Sequence, residues 1–213
     1  ALEYFTTATP LMGDNSAVIG GVLFAITQVM RKVAWREVPA KDTAEARELA
    51  DFAHSLRYDM SNPWEDHVVE ALSMLQFGFA PCEIVYKRRL GQRSNAALSA
   101  NDASSRYDDG RIGVRRLPLR GQDTIIKWFF DENGMIEGMT QQPWIGPLID
   151  MPIEKMLLFR PSHAKNNPEG RSALRNAYRS WFFKKRIEEI EAVGIERDLA
   201  GLPIAYVDPK LMA

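Results

Sequence analysis

The chain has 213 residues, 46% of them hydrophobic and 26% charged, a balance that excludes a disordered, collagen-like or purely coiled-coil protein. Twenty-seven Lys and Arg stand against 28 Asp and Glu, so a net charge of −1 supplies no global field toward nucleic acid or a membrane surface. The single cysteine, Cys82, excludes an internal disulfide and any site built from several cysteines.

The longest apolar run, residues 17–26, has ten residues with two glycines inside it, against the roughly 20 of a spanning helix, so no membrane partner is expected. Around it, Val18, Ile19, Val22, Leu23, Ile26, Val29 and Met30 recur at spacings of three and four behind Asp14-Asn15-Ser16, which predicts a capped helix. Val33, Trp35 and Glu37 alternate like a short strand before Pro39. A second helix is expected from Asp42, with Glu45 completing a capping box and Leu49, Phe52, Ala53 and Leu56 on its buried face. Asn62-Pro63-Trp64-Glu65 combines a cap, a first-turn proline and an early glutamate. It predicts a helix whose stripe is Trp64, Val68, Ala71, Leu72 and Leu75, stopped at Gly78.

From there the period becomes two. Cys82, Ile84 and Tyr86 are expected on one face of a strand, with Glu83, Val85 and Lys87 on the other. Residues 91–110 are rich in Ser, Ala, Asn and Asp and read as a long loop. Strands are expected over 112–119, 124–130, 135–140 and 155–159, the middle two joined by a hairpin at Asn133-Gly134. A polar loop over 162–170 leads to the longest element, a helix over 172–199 of roughly 40 Å at ~1.5 Å per residue. Lys185 is expected to face Glu189 on it, Gly194 is a possible kink site, and residues 202–207 read as a last strand. The class is therefore α+β. The β block sits between two helices like an insertion at the tip of a helical pair, in an elongated, waisted molecule.

Chemical motifs are few. Gly170-Arg171-Ser172-Ala173-Leu174 opens like a nucleophile elbow, but Leu174 replaces the closing glycine and no strand precedes it, so Ser172 reads as a helix cap. His54, His67 and His163 have no second histidine one turn away, and Cys82 reads as a small buried hydrophobe. Asp108-Asp109 lie in the long loop with no wall to shift a pKa. The reading is of no catalytic residue, no metal and no cofactor.

Charge distribution says more than charge total. Between Lys87 and Arg120 nine basic residues (Lys87, Arg88, Arg89, Arg93, Arg106, Arg111, Arg115, Arg116, Arg120) face three acidic ones. The stretch reads as a docking surface for phosphates or an acidic protein, with a solvated arginine-rich strand face as the alternative. Lys184-Lys185-Arg186 spread around a helix and form a patch only among several copies. Trp181-Phe182-Phe183 are consecutive and point about 100° apart, so one chain cannot bury all three against a single core. Trp128, Phe129, Phe130 and Trp144 pose the same problem in the β block, which argues for oligomerisation.

Several stretches carry a resemblance. They are residues 14–39, with Val33-Ala34-Trp35-Arg36-Glu37-Val38-Pro39 closing the first helix; Gly78-Phe79-Ala80-Pro81-Cys82-Glu83-Ile84-Val85-Tyr86; Phe129-Phe130-Asp131 through Gly134; Phe159-Arg160-Pro161 and residues 168–181 with Lys184 and Lys185; and Gly201-Leu202-Pro203-Ile204-Ala205. In these the chain resembles the portal proteins of tailed bacteriophages, most closely the Mu-like branch.

The resemblance implies a non-enzymatic ring, of twelve subunits in that family, at the capsid vertex of the virion, assembled in the host cytoplasm. Double-stranded DNA passes through it without sequence specificity during packaging and ejection. The implied partners are terminase, the head–tail adaptor and the major capsid protein. The implied layout is wing over 1–62, descending stem helix over 63–79, clip over 80–165, ascending stem helix over 166–200, and the start of the return to the wing over 201–213. Lys87, Arg88, Arg89, Arg115 and Arg116 would then be clip docking residues. Trp64, Trp181, Phe182 and Phe183 would lie between subunits, and Lys184, Lys185 and Arg186 would face the channel. A second wing half and a channel-loop helix are expected beyond Val207, so the resemblance leads to the expectation of a partly ordered or truncated product. The competing class is a monomeric nucleic-acid-binding or DNA-processing accessory protein that uses the 87–120 stretch.

Overall fold

A computed structural model describes residues 2–92, 104–162, 166–199 and 201, with residues 2–8 described by backbone alone. It divides into two units, Ala1–Arg175 and Asn176–Ala213. The architecture is α+β.

In the first unit, α1 (Leu2–Asn15) precedes α2 (Ala17–Arg31). Ser16 breaks the pair in an extended conformation, so the expected cap position is right, although its side chain makes no capping bond. One side of α2 packs on α1 and α4 (Trp64–Ala71). Residues 33–39 form no strand; they run irregularly because Arg57 grips them, donating to both Glu37 carboxylate oxygens at 2.8 and 3.0 Å and to the Trp35 carbonyl at 3.1 Å.

α3 (Ala44–Tyr58) is capped by Thr43, whose hydroxyl accepts from the Ala46 amide, one residue beyond the expected cap. Its inner face is rotated from the expected one. Ser55 is buried and Phe52 and Leu56 are half-buried, whereas Leu49 and Ala53 are exposed. The partner under α3 explains the rotation: it is a buried arginine and lysine rather than an apolar sheet.

The continuous helix expected over 63–78 is two helices, α4 and α5 (Met74–Phe77), separated by a turn at Leu72-Ser73. Pro63 rather than Asn62 holds the cap position of α4, with no side-chain bond to the first turn. The stop at Gly78 is as expected, with φ +97° and its amide donating to the Met74 carbonyl.

Among the described residues the β block forms three small antiparallel sheets. β1 (Ala80–Glu83) pairs with β7 (Met156–Phe159), and β2 (Val85–Arg88) with β3 (Ile112–Arg116). β4 (Ile125–Phe130), β5 (Ile136–Gln141) and β6 (Ile149–Pro152) form the third. The single strand expected after Gly78 thus changes partners at Ile84, which moves Cys82 and Tyr86 into different sheets, one buried and the other exposed. β6 has no clear sequence signal, being a four-residue strand that follows Pro147 closely and ends on Pro152. The hairpin at Asn133-Gly134 is as expected: Gly134 takes φ +77°, and Asp131 accepts from the amides of Asn133 and Met135.

Buried apolar residues are few among the described ones: Met12, Val68, Ala71, Ala80 and Cys82 lie on α1, α4 and β1, and the rest gather in the β block. Met139, Met151 and Met156 are buried together, with Ile125, Trp128 and Ile153 against them. Phe79 joins this core through an edge contact with Trp128 at 5.9 Å.

The second unit contains α6 (Tyr178–Leu199), preceded by a 3-10 turn over Ala173–Ala177, so the expected long helix is tightened in its first turn and Gly194 does not interrupt it. The strand expected over 202–207, the return segment 202–213, most of the 91–110 loop and His163 lie outside the described residues. Among the described residues no single helix is long and apolar enough to cross a membrane.

Gly78 stops α5 and lies against the chain at Gly170. A Cβ there would meet the Glu169 carbonyl oxygen and the Ser172 amide nitrogen, both at 2.9 Å, on a backbone that L side chains avoid. Gly78→Ala is expected to lower stability by about 1–3 kcal/mol in urea unfolding with an unchanged slope. An unaltered midpoint contradicts this packing.

Candidate assembly and docking surfaces

The basic stretch divides by strand parity. In β2 and its continuation, Tyr86 and Arg88 face out while Lys87 and Arg89 face in toward α3. Lys87 Nζ donates to the Asp59 carbonyl and to the Ser104 carbonyl at 2.8 Å, and lies 3.2 Å from the Asp59 carboxylate. That carboxylate also accepts from the Ser105 hydroxyl at 2.7 Å and the Arg106 amide at 2.8 Å.

Arg89 is 2% exposed. Its guanidinium lies between the rings of Phe52 and Tyr107, at 5.2 and 4.0 Å. It donates to Ser55 Oγ at 2.8 Å and pairs with Asp109 at 3.0 Å. Burying a cation costs several kcal/mol unless such partners surround it, which is what Asp59, Asp109 and the two rings provide.

Lys87 and Arg89 are thus removed from any docking surface by internal pairing, a correction to the sequence reading. Arg120 pairs with Glu83, and Arg111 with Glu48 at 2.6 Å. Arg88 and Arg116 remain exposed and Arg115 half-buried. In the β2–β3 register Arg88 faces Ile112 and Arg116 faces Val85, so the two exposed arginines mark opposite ends of one ladder.

Trp64 is an internal residue more than an outward anchor. Its ring meets Trp35 edge-on at 5.8 Å and His67 at 5.1 Å. On α6, Trp181 is half-buried, whereas Phe182 and Phe183 are 37% and 53% exposed. The charges there pair along the helix, Lys184 with Glu188 at 3.4 Å and Arg186 with Glu189 at 3.1 Å. Lys185 sits over the Trp181 ring at 5.8 Å, so the expected Lys185–Glu189 pair gives way to its neighbours.

The remaining reactive side chains have structural surroundings. Burial pushes the Cys82 thiol up to about 12, with Glu70 nearby adding to the effect, so it is inert at neutral pH. Burial also lowers the His67 pKa, against the opposing pull of the Leu117 carbonyl 3.2 Å from Nδ1 and of Glu70. Burial raises the Glu37 pKa, but its hydrogen bonds to His54 and Arg57 outweigh this and the net shift is downward. The Ser172 hydroxyl is held in structural hydrogen bonds: it donates to the Leu75 carbonyl and accepts from the Leu174 amide, both at 3.1 Å.

Two apolar features lie exposed, and the sequence alone does not say that this chain leaves them open. The β5–β6 connection presents Trp144 and Ile145 at 89% and 93% exposure. The outer side of α2 is apolar throughout, and no residue of that helix is buried. Periodicity finds an apolar face, but it cannot tell whether the same chain covers it.

Together these observations define a class: an α+β chain whose described residues expose apolar helix faces, an apolar β5–β6 connection and scattered arginines. The family model for the portal protein of Mu bacteriophage matches residues 12–209, and the chain belongs to that family, which is structural rather than enzymatic. Comparison with individually curated proteins returns no match.

Asp59→Ala strands Lys87 without its counter-ion and is expected to cost about 3–5 kcal/mol in urea unfolding. A loss below about 1 kcal/mol contradicts the buried pairing.

Proposed function

We propose that the chain is the subunit of a portal ring at one vertex of a tailed-phage capsid, a conduit for DNA packaging and ejection to which terminase and the head–tail adaptor dock. The observation that carries this is the Mu portal family match, which runs from α1 through both helical segments and the β block between them. The family implies an oligomeric ring associated with the capsid. In this reading residues 1–62 belong to the wing, 63–79 and 166–200 to the stem, 80–165 to the clip, and 201–213 begin the return to the wing. The descending stem then carries the α4–α5 turn in its middle.

Docking in the clip falls to Arg88, Arg116 and the half-buried Arg115, and subunit contact to Phe182 and Phe183 on the ascending helix. Lys184, Lys185 and Arg186 serve the channel as a partly neutralised lining, since Lys184 and Arg186 are paired with Glu188 and Glu189 while Lys185 lies over the Trp181 ring. That suits a duplex that must slide, because every unpaired cation on its path adds a phosphate contact that retards it. Twelve copies is the number the resemblance implies. The monomeric nucleic-acid-binding alternative is weakened by the pairing of Lys87, Arg89, Arg111 and Arg120, half of the described basic residues of the stretch, with carboxylates of the same chain.

Electron microscopy with mass measurement in solution tests the proposal. Closed rings with an axial hole are expected from the purified chain; a monomer at every concentration, with no rings on grids, overturns it.

A further inference from the structure

Helix α2 turns about 100° per residue, so Ala17, Val18, Gly21, Val22, Phe24, Ala25, Ile26 and Val29 fill a continuous arc of roughly 200°. All eight are exposed, and no charged residue occurs between Ala17 and Met30. Val18, Phe24 and Val29 are 67%, 65% and 67% exposed. With Val22 and Ile26 they offer roughly 500 Å² of apolar surface, as large as the largest patches that monomers tolerate and more than half of the ~800 Å² each partner gives a standard interface.

Within that arc, Val18, Val22, Ala25 and Val29 follow each other at spacings of four, three and four. That is the seam of a helix that packs along another helix. The chain carries a second seam of the same kind. Phe183, Ile187, Ile190 and Gly194 on α6 have the same spacing, the same length and no charge, and all four are exposed. Arg186 and Lys184 flank this seam and are held at its edges by Glu189 and Glu188. Bulky Phe183, Ile187 and Ile190 complement small Ala25 and the valines, and Gly194 permits close approach at one end.

A ring needs a head-to-tail contact, in which each copy supplies two different faces that fit one another. We propose that the Val18-Val22-Ala25-Val29 seam of one copy packs against the Phe183-Ile187-Ile190-Gly194 seam of the next. This inference rests on the ring reading and assigns its subunit contact to particular residues.

A mixing experiment tests it. Val22→Asp with Val29→Asp removes one seam, and Ile187→Asp with Ile190→Asp removes the other. All four side chains are exposed, so each doubly substituted chain is expected to melt like the dissociated wild-type subunit. Alone, each variant is expected to be a monomer, since it lacks one of the two faces. Mixed in equal amounts, they retain one intact pairing and are expected to form a dimer of twice the 24.2 kDa chain mass. Val38→Asp, exposed and off both seams, is expected to assemble like wild type.

Assembly of either variant at wild-type size overturns the inference, as does a mixture that stays monomeric. A lowered melting temperature of the Val22/Val29 variant as a monomer also overturns it, because that face is then covered within its own chain. A wild-type chain that never assembles overturns the ring reading itself, a result distinct from all of these.

Discussion

The structure depends on one constraint: the chain exposes more apolar surface along its helices than its interior can take. Among the described residues the buried apolar side chains are few (Met12, Val68, Ala71, Phe79, Ala80 and Cys82 beside the cluster of Met139, Met151 and Met156), while α2 and α6 contain no buried residue. Apolar surface left in water forfeits about 25 cal/mol for every Å² that burial would recover. Helices with such surfaces persist because something packs on them, and a portal-family chain has other copies of itself for the purpose. The fold therefore has to be understood as one segment of an assembly.

A second feature gives the single chain its own coherence. Asp59, at the end of α3, gathers Lys87, Ser105 and the Arg106 amide, while Arg89 beside it joins Ser55, Asp109, Phe52 and Tyr107. These bonds tie α3 to the β2–β3 ladder and to the segment just before β3. An ionic node of this kind is a directional fastening: it holds only one register, whereas an apolar contact of similar area tolerates sliding. In a chain with so little core, that selectivity fixes how the helical part meets the β block.

Legibility in the sequence followed how local the determining physics is. The Asn133-Gly134 hairpin, the stop at Gly78 and the breadth of α6 depend on neighbouring residues and were readable. The strand switch at Ile84, the rotated face of α3 and the break at Leu72-Ser73 depend on distant partners and were not. The basic stretch shows the difference most clearly. Lys87 and Arg89 look like surface charge until β2 parity and the distant Asp59 place them inside. The family was legible because its pattern is spread along the chain. The identity of the surfaces was not, since Trp64 turns inward to Trp35 and His67 while the outer face of α2 is left open.

Amide hydrogen exchange of assembled and dissociated subunits tests most directly the claim that copies cover what the single chain leaves exposed. Amides of α2 and α6 are expected to be strongly protected in the assembly and to exchange far faster in the dissociated subunit, while the Asp59-centred region and the β4–β5 hairpin are protected equally in both. Equal protection of α2 and α6 in the two states would contradict that claim.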